Sequence, residues 1–198
     1  TGSGGFIGSC LLNHLDELSS DVKLVVRDSD HVSHTRNIYS IKNICSSTSW
    51  VDAFYDVTTV IHLAGLAHDN LYTAQNYQEV NFHGTLKLAR DAAESGVNRF
   101  VFVSSIGVNG TLTIEEPYSH GTLENPHNNY AQSKYDAEVG LKKIAAETGL
   151  EVVIVRPTLV YGPNAPGNFG TLTKLVQQLP LLPFGSSNNK RDFIAVQN

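Results

Sequence analysis

Tyr130 and Lys134 stand four residues apart in Tyr130-Ala131-Gln132-Ser133-Lys134. Four residues is about one helical turn, so on a helix the phenol and the ammonium project from one face. A phenol of pKa about 10 is a poor base at neutral pH, but a neighbouring cation favours the phenolate and lowers that value. The pair can therefore shuttle a proton, although the same spacing also describes an ordinary surface helix pair. In Arg99-Phe100-Val101-Phe102-Val103-Ser104-Ser105 an apolar run ends in two hydroxyls. Ser105 can hold a substrate oxygen against the Tyr130 phenol, or both serines simply cap a strand end. The opening Thr1-Gly2-Ser3-Gly4-Gly5-Phe6-Ile7-Gly8 runs straight into an amphipathic segment. Glycines at 2, 5 and 8 let the backbone turn tightly, approach a pyrophosphate and pack a helix closely, with the helix N-terminus facing the anion. A plain glycine-rich turn is the alternative.

Two kinds of segment alternate around these residues. Val22 to Val26, Thr59 to Leu63, Phe100 to Val103 and Val152 to Val155 are short apolar runs, the pattern of strands buried on both faces of a parallel sheet. Ile7, Leu11, Leu15 and Leu18 recur at helical period, as do Val80 to Ala93 and Ala137, Leu141, Ile144 and Thr148. The alternation predicts an α/β fold, a doubly wound parallel sheet of the Rossmann type. Residues 1–156 form the expected dinucleotide-binding domain. From Pro157 onward the chain holds five of its seven prolines and one plausible helix, Thr171 to Leu179. Residues 157–198 therefore read as the start of a smaller, loop-rich substrate-binding part. Ligands in such sheets bind beyond the carboxyl ends of the strands, where Gly5, Arg27, Ala64, Ser105 and Pro157 all fall.

The chain has 198 residues, 41% of them hydrophobic, and a formal charge of −5. Those values exclude disorder and fibrous architectures. An acidic chain without a basic run lacks the footprint of a nucleic-acid or anionic-membrane binder. No apolar stretch approaches the roughly 20 residues that span a bilayer, and no leader opens the chain, so a cytoplasmic protein is expected. Cys10 and Cys45 form neither a metal spacing nor a disulfide framework and read as small core residues. The eight histidines form no HExxH motif or close cluster, so no metal is expected; Trp50 reads as core. There is no Met, and Thr1 looks like the middle of a motif, so a piece of a longer protein, truncated at both ends, is expected.

Taken together, these motifs resemble the extended short-chain dehydrogenase/reductases, and within them the nucleotide-sugar epimerase, dehydratase and 4-keto-reductase branch. Gly2, Gly5, Phe6, Ile7 and Gly8 match the TGxxGFIG cofactor turn, and His62-Leu63-Ala64-Gly65 the strand end beside the adenine ribose. Ser105, Tyr130 and Lys134 match the family's triad, and Asn81 its supporting helix Asn. Arg156-Pro157-Thr158-Leu159-Val160-Tyr161-Gly162-Pro163 is similar to the segment lining the nicotinamide. Asn168-Phe169 resembles a substrate-contacting pair, and Arg191 the Arg that grips the diphosphate, a task suited to its planar fork. Asn43 falls where many relatives hold an adenine-facing Asp; a turn residue is the plainer reading.

The resemblance implies NAD(P)-dependent hydride transfer at C4 of a nucleotide-diphosphate hexose, by a UDP-sugar 4-epimerase or a 4-keto-sugar reductase. The acid–base pair that a 4,6-dehydratase carries after the strand-end hydroxyl is Ile106-Gly107 here, which argues against that reaction. With Val26 aligned at the usual acidic position, Arg27 favours NADP over NAD; the other alignment makes Asp28 the acidic residue. Asn109 replaces a family Tyr, which puts a sugar contact there in doubt. The alternatives are an NADP-dependent reductase of flavonoid or steroid ketones, for which Arg191 would have no diphosphate to hold, and a non-catalytic dinucleotide-binding protein. A homodimer formed through the stretches containing Asn81 and Tyr130 is also implied.

Overall fold

The computed structural model describes residues 1–18, 20–27, 37–67, 72–113, 116–179 and 190–198, without the Asn168 side chain. Helix α1 (Phe6–Glu17) follows the glycine turn directly and leads to strand β1 (Leu24–Arg27), which pairs with β2 (Ile38–Ile41). Strands β3 (Thr59–His62), β4 (Arg99–Val103) and β5 (Glu151–Val155) form a second sheet in that order. Every described strand pair is parallel, so the strands' carboxyl ends point one way within each sheet. Thr1 extends the β3 side, its amino group donating to Ile61 O at 2.9 Å and its carbonyl accepting from Leu63 N at 3.2 Å. The glycine turn thus begins at the carboxyl end of β3.

Between β3 and β4 the chain forms α2 (Ala74–Tyr77), a π-helical segment (Gln78–Gly84) and α3 (Thr85–Glu94) without a break. Helix α4 (Asn129–Thr148) connects β4 to β5. It starts where Asn128 accepts from Ala131 N at 2.8 Å and stops at Gly149, whose φ of 77° ends the helix in the left-handed conformation. The apolar stripes meet as the periodicity predicts: Leu88, Ala89 and Ala92 of α3 and Ala137, Leu141 and Ile144 of α4 pack with Phe100 and Phe102 of β4. Both rings are fully buried, each stabilising the fold by about 1.5–3 kcal/mol. Trp50 belongs to this core, as expected.

Residues beyond Arg156 supply β6 (Leu159–Tyr161), α5 (Gly167–Gln178) and β7 (Phe193–Ala195), with β6 and β7 paired. Tyr161, Phe169 and Phe193 form an aromatic cluster with centroids 5.5–6.4 Å apart. At the far end of the pair, a Cβ on Gly162 would meet Val196 Cγ1 at 2.7 Å and Phe6 Cζ at 3.3 Å. The small sheet is therefore seated on the start of α1.

Three strands, β2, β6 and β7, go beyond the sequence pattern. β6 and β7 have three residues each, and β2 (Ile38-Tyr39-Ser40-Ile41) is interrupted by a Ser, so none forms a continuous apolar run of strand length. Cys10 and Cys45 are half-buried rather than core, because each sits at a loop-facing position: Cys10 Sγ approaches Val196 O and Cys45 Sγ approaches Asn43 Oδ1. No described helix is long and apolar enough to cross a membrane, and no group of three or more metal-ligating side chains occurs among the described residues.

Candidate active site

The glycine turn is held by close backbone packing. Gly2 has φ +76°, and a Cβ there would lie 2.6 Å from Ala64 N and 2.9 Å from Leu63 C. A Cβ on Gly8 would lie 2.1 Å from Gly2 O, so the first turn of α1 can rest on the loop only if that residue is Gly. Gly5 N closes the turn on Gly2 O at 3.1 Å, and no side chain caps the start of α1. Backbone N–H groups are thus presented at a helix N-terminus, as a phosphate requires. Phe6 and Ile7 are half-buried beside them.

Ser105 follows β4 and starts a single 3₁₀ turn (Ile106–Val108). Its Oγ accepts from Gly107 N at 3.1 Å, and its hydroxyl lies near enough to the Tyr130 phenol to lower that group's pKa. Tyr130 is in the first turn of α4, with its ring edge-on to buried Tyr77 at 6.2 Å. Lys134, one turn on, is 4% exposed. Its Nζ donates to Val103 O at 3.0 Å and lies 4.7 Å above the Phe102 ring. Tyr130 and Lys134 are therefore not a surface pair.

The expected acidification of the phenol differs from what the structure shows. Burial raises the Tyr130 pKa above its ordinary value, and the Ser105 hydroxyl opposes that rise only in part. The ammonium is directed to the Val103 carbonyl instead of the phenol. Burial also lowers Lys134 to about 8, against a partial opposing effect of Glu138. An unfolded Lys titrates near ~10.4, so between about pH 8 and 10 the unfolded chain holds more of this proton and stability rises with pH. Urea unfolding of the cofactor-free protein is expected to show the parent gaining stability over Lys134→Met across that window. Parallel pH dependences would contradict it.

Asn81, fully buried in the π-helical segment, spans the site from behind. Its Oδ1 accepts from Leu66 N at 2.8 Å, and its Nδ2 donates to Leu66 O and to Ser133 Oγ, which in turn donates to Tyr130 O. A Cβ on Gly65 would come within 2.9 Å of Asn81 Oδ1 and 3.3 Å of Lys134 Nζ, so Gly65 brings the β3 end against the triad. His62, at the end of β3, is a buried connector, with Nε2 2.9 Å from Thr85 Oγ1 and Nδ1 2.7 Å from Thr1 Oγ1. Thr85 donates to Asn81 O at 2.7 Å, so it accepts from Nε2–H, and Nδ1 accepts from Thr1. Burial and the Lys134 charge hold the imidazole neutral.

Arg27 ends β1 in register with Ile41 of β2, and Asn43 follows two residues later, so both stand at one edge, exposed. Thr48 Oγ1 donates to Asn43 O at 3.0 Å and fixes that turn. Asp28 lies outside the described residues. Asn109 is turned inward: its Nδ2 donates to Thr122 O and its Oδ1 accepts from Arg156, and it is 5% exposed. Pro157 O accepts from Ile106 N at 3.0 Å. Arg191 precedes β7 by two residues, at the end where Pro157 precedes β6 by two, and is exposed. Asn168 and Phe169 begin α5, with Phe169 in the aromatic cluster.

Within a parallel α/β fold, the glycine turn, a buried Lys and the Ser105 and Tyr130 hydroxyls therefore meet at the strand ends. The chain belongs to the NAD dependent epimerase/dehydratase family, whose model matches residues 1–198. It is 39% identical over 206 residues to the UDP-glucose 4-epimerase of Vibrio cholerae, covering 100% of this chain and 62% of the relative. Among solved structures, it matches the UDP-glucose 4-epimerase of Thermus thermophilus in complex with NAD at a TM-score of 0.82 and 25% identity, over 99% of this chain and 69% of that one. MoeE5 in complex with UDP-glucuronic acid and NAD gives 0.79 and 28%, over 98% and 66%. The chain thus spans less than two thirds of the Vibrio cholerae relative's length.

Proposed function

We propose that this chain forms the cofactor-binding and catalytic part of a nicotinamide-dependent enzyme acting at C4 of a nucleoside-diphosphate hexose, with UDP-sugar 4-epimerisation as the net reaction. The convergence of Ser105, Tyr130 and Lys134 beside the glycine turn carries this reading, and sequence similarity to UDP-glucose 4-epimerase supports it. Residues 1–156 hold the dinucleotide, and residues 157–198 begin the substrate part.

The residues present fit a dinucleotide: the turn is open where a Cβ would block it, and the α1 N-terminus lacks a side-chain cap. A bound nicotinamide dinucleotide would supply the acceptor and donor of the C4 hydride. Gly2, Gly5, Phe6, Ile7 and Gly8 cradle its pyrophosphate, and Leu63, Ala64, Gly65 and Pro157 line its path. Lys134 holds the ribose, while Arg27 and Asn43 flank the adenosine end. Tyr130, as the phenolate, takes the C4 hydroxyl proton as the hydride leaves and gives it back to the C4 oxygen as the hydride returns, while Ser105 holds that oxygen by a second hydrogen bond. Asn81 keeps Tyr130 and Lys134 in register. The Asn168-Phe169 pair serves the sugar, and Arg191 grips the diphosphate. Where a dehydratase needs an acid and a base, Ile106 and Gly107 form the 3₁₀ turn, which favours epimerisation.

The test is the full-length protein with NAD and a panel of UDP-hexoses. C4 inversion that disappears in Tyr130→Phe is the expected result, and no turnover on any member overturns the reading. A 4-keto-sugar reductase is the second reading, favoured by the protonated resting phenol; it requires NADPH consumption with a 4-keto sugar.

NAD is proposed as the cofactor. Arg27 pointed to NADP, but the structural relatives named above were solved with NAD. Calorimetry is expected to show tighter binding of NAD, with Arg27→Ala leaving that affinity nearly unchanged. Tighter NADP binding, weakened about 10-fold or more by Arg27→Ala, is the contrary outcome. Pairing into a homodimer is proposed through the helical stretch that contains Asn81 and through α4, which contains Tyr130.

A further inference from the structure

Glu138 is fully buried on α4, one turn beyond Lys134 and two beyond Tyr130. A buried carboxylate needs a partner with several donors, and Arg156, just after β5, supplies them. Its Nε donates to Glu138 Oε1 at 2.9 Å and Oε2 at 3.2 Å, and its Nη2 bonds the same Oε2. Nη2 also donates to Glu124 Oε1 at 2.8 Å, and Nη1 to Asn109 Oδ1 at 3.1 Å. One guanidinium thus joins α4, the β5 end, the residue after the 3₁₀ turn and the loop before α4.

The backbone around Arg156 gives the cluster its meaning. Val155 O accepts from Ser104 N at 2.7 Å, and Pro157 O accepts from Ile106 N at 3.0 Å. The residues flanking Ser105 are therefore bonded to the residues flanking Arg156. Ser105 is carried on the strand side of this arrangement, and Tyr130 and Lys134 are carried on the helix side. The side chains of Arg156 and Glu138 are the charged tie between the two sides.

We propose that Arg156 and Glu138 are positioning residues that set the separation of the helix bearing Tyr130 and Lys134 from the strand end bearing Ser105, with Asn109 securing the loop that follows. The proposal rests on the hydride-transfer reading of this site. Neither residue touches the Ser105 or Tyr130 oxygen in any described hydrogen bond. Both act through the elements they hold.

Arg156→Lys keeps the charge but loses the fork, and Glu138→Asp keeps the charge but shortens the reach by one methylene. In the full-length protein, both are expected to bind NAD within about threefold of the parent while kcat per NAD-binding site falls about 10-fold or more at little-changed KM, the response of displaced reacting groups. Amide exchange measured at Ser104 and Ile106 is expected to accelerate in both. Glu138→Gln, which leaves Arg156 bonded to Glu124 and Asn109, carries the same test if a charged variant fails to fold. Unchanged kcat per NAD site, or unaccelerated exchange at those two amides, overturns the proposal, even if melting temperatures fall. If the parent itself turns over no nucleotide sugar, the functional reading fails, and the Ser104 and Ile106 exchange rates alone decide whether the tie exists.

Discussion

Turnover of a nucleotide sugar by Tyr130→Phe is expected to fall about 10²- to 10⁴-fold, the range that a positioned proton donor contributes. The substitution is cleanly interpretable because of where the ring sits. Phe keeps the edge-on contact with Tyr77 and the first turn of α4, so folding and NAD affinity should stay close to the parent. Only the phenol oxygen is lost, and with it the interaction with the Ser105 hydroxyl. Steady-state kinetics alongside calorimetric NAD binding checks both halves. Activity within a few-fold of the parent would mean that another group moves the proton.

Gly8→Val has the other large effect, and acts through shape instead of acid–base chemistry. The added Cβ would fall 2.1 Å from Gly2 O and 2.8 Å from Ser3 Cα, and these are backbone atoms that no rotamer change can clear. Either α1 lifts from the turn or the turn opens, and both disperse the N–H groups meant for the pyrophosphate. Saturable NAD binding should be lost in calorimetry, with stability lower by about 1–3 kcal/mol from overpacking. A Gly8→Val protein that binds NAD normally would show that the turn is not the dinucleotide site.

Much of this site was legible because its chemistry is local. Glycines at fixed spacing, a Tyr and Lys one turn apart and a hydroxyl closing an apolar run each occupy a few consecutive residues, and the element around each is set by its own periodicity. Tertiary surroundings were not legible. The spacing of Tyr130 and Lys134 was right, but the pKa of the phenol depends on Tyr77, Ser105 and burial, none of which spacing encodes. His62 lies in the segment that marked the β3 end, yet its role depends on Thr1 and Thr85, 61 and 23 residues away. Glu138 did leave a trace. It continues the series 130, 134, 138 and adjoins the buried stripe of Ala137 and Leu141, so a carboxylate there needed a cation. Which cation required the β5 end to be placed in space.

The π-helical segment constrains how this chain can change. An α-helix advances about 100° per residue, so the wider turn at Gln78–Gly84 reorients everything after it. That adjustment lets Asn81 look toward Leu66 and Ser133 while Leu88, Ala89 and Ala92 still look into the core. Deleting one residue from the segment would either swing the α3 stripe away from Phe100 and Phe102 by roughly that angle or close the wider turn and move Asn81 off Leu66 and Ser133. The length of this helix between Tyr77 and Leu88 is locked, because one count of residues has to satisfy two faces at once.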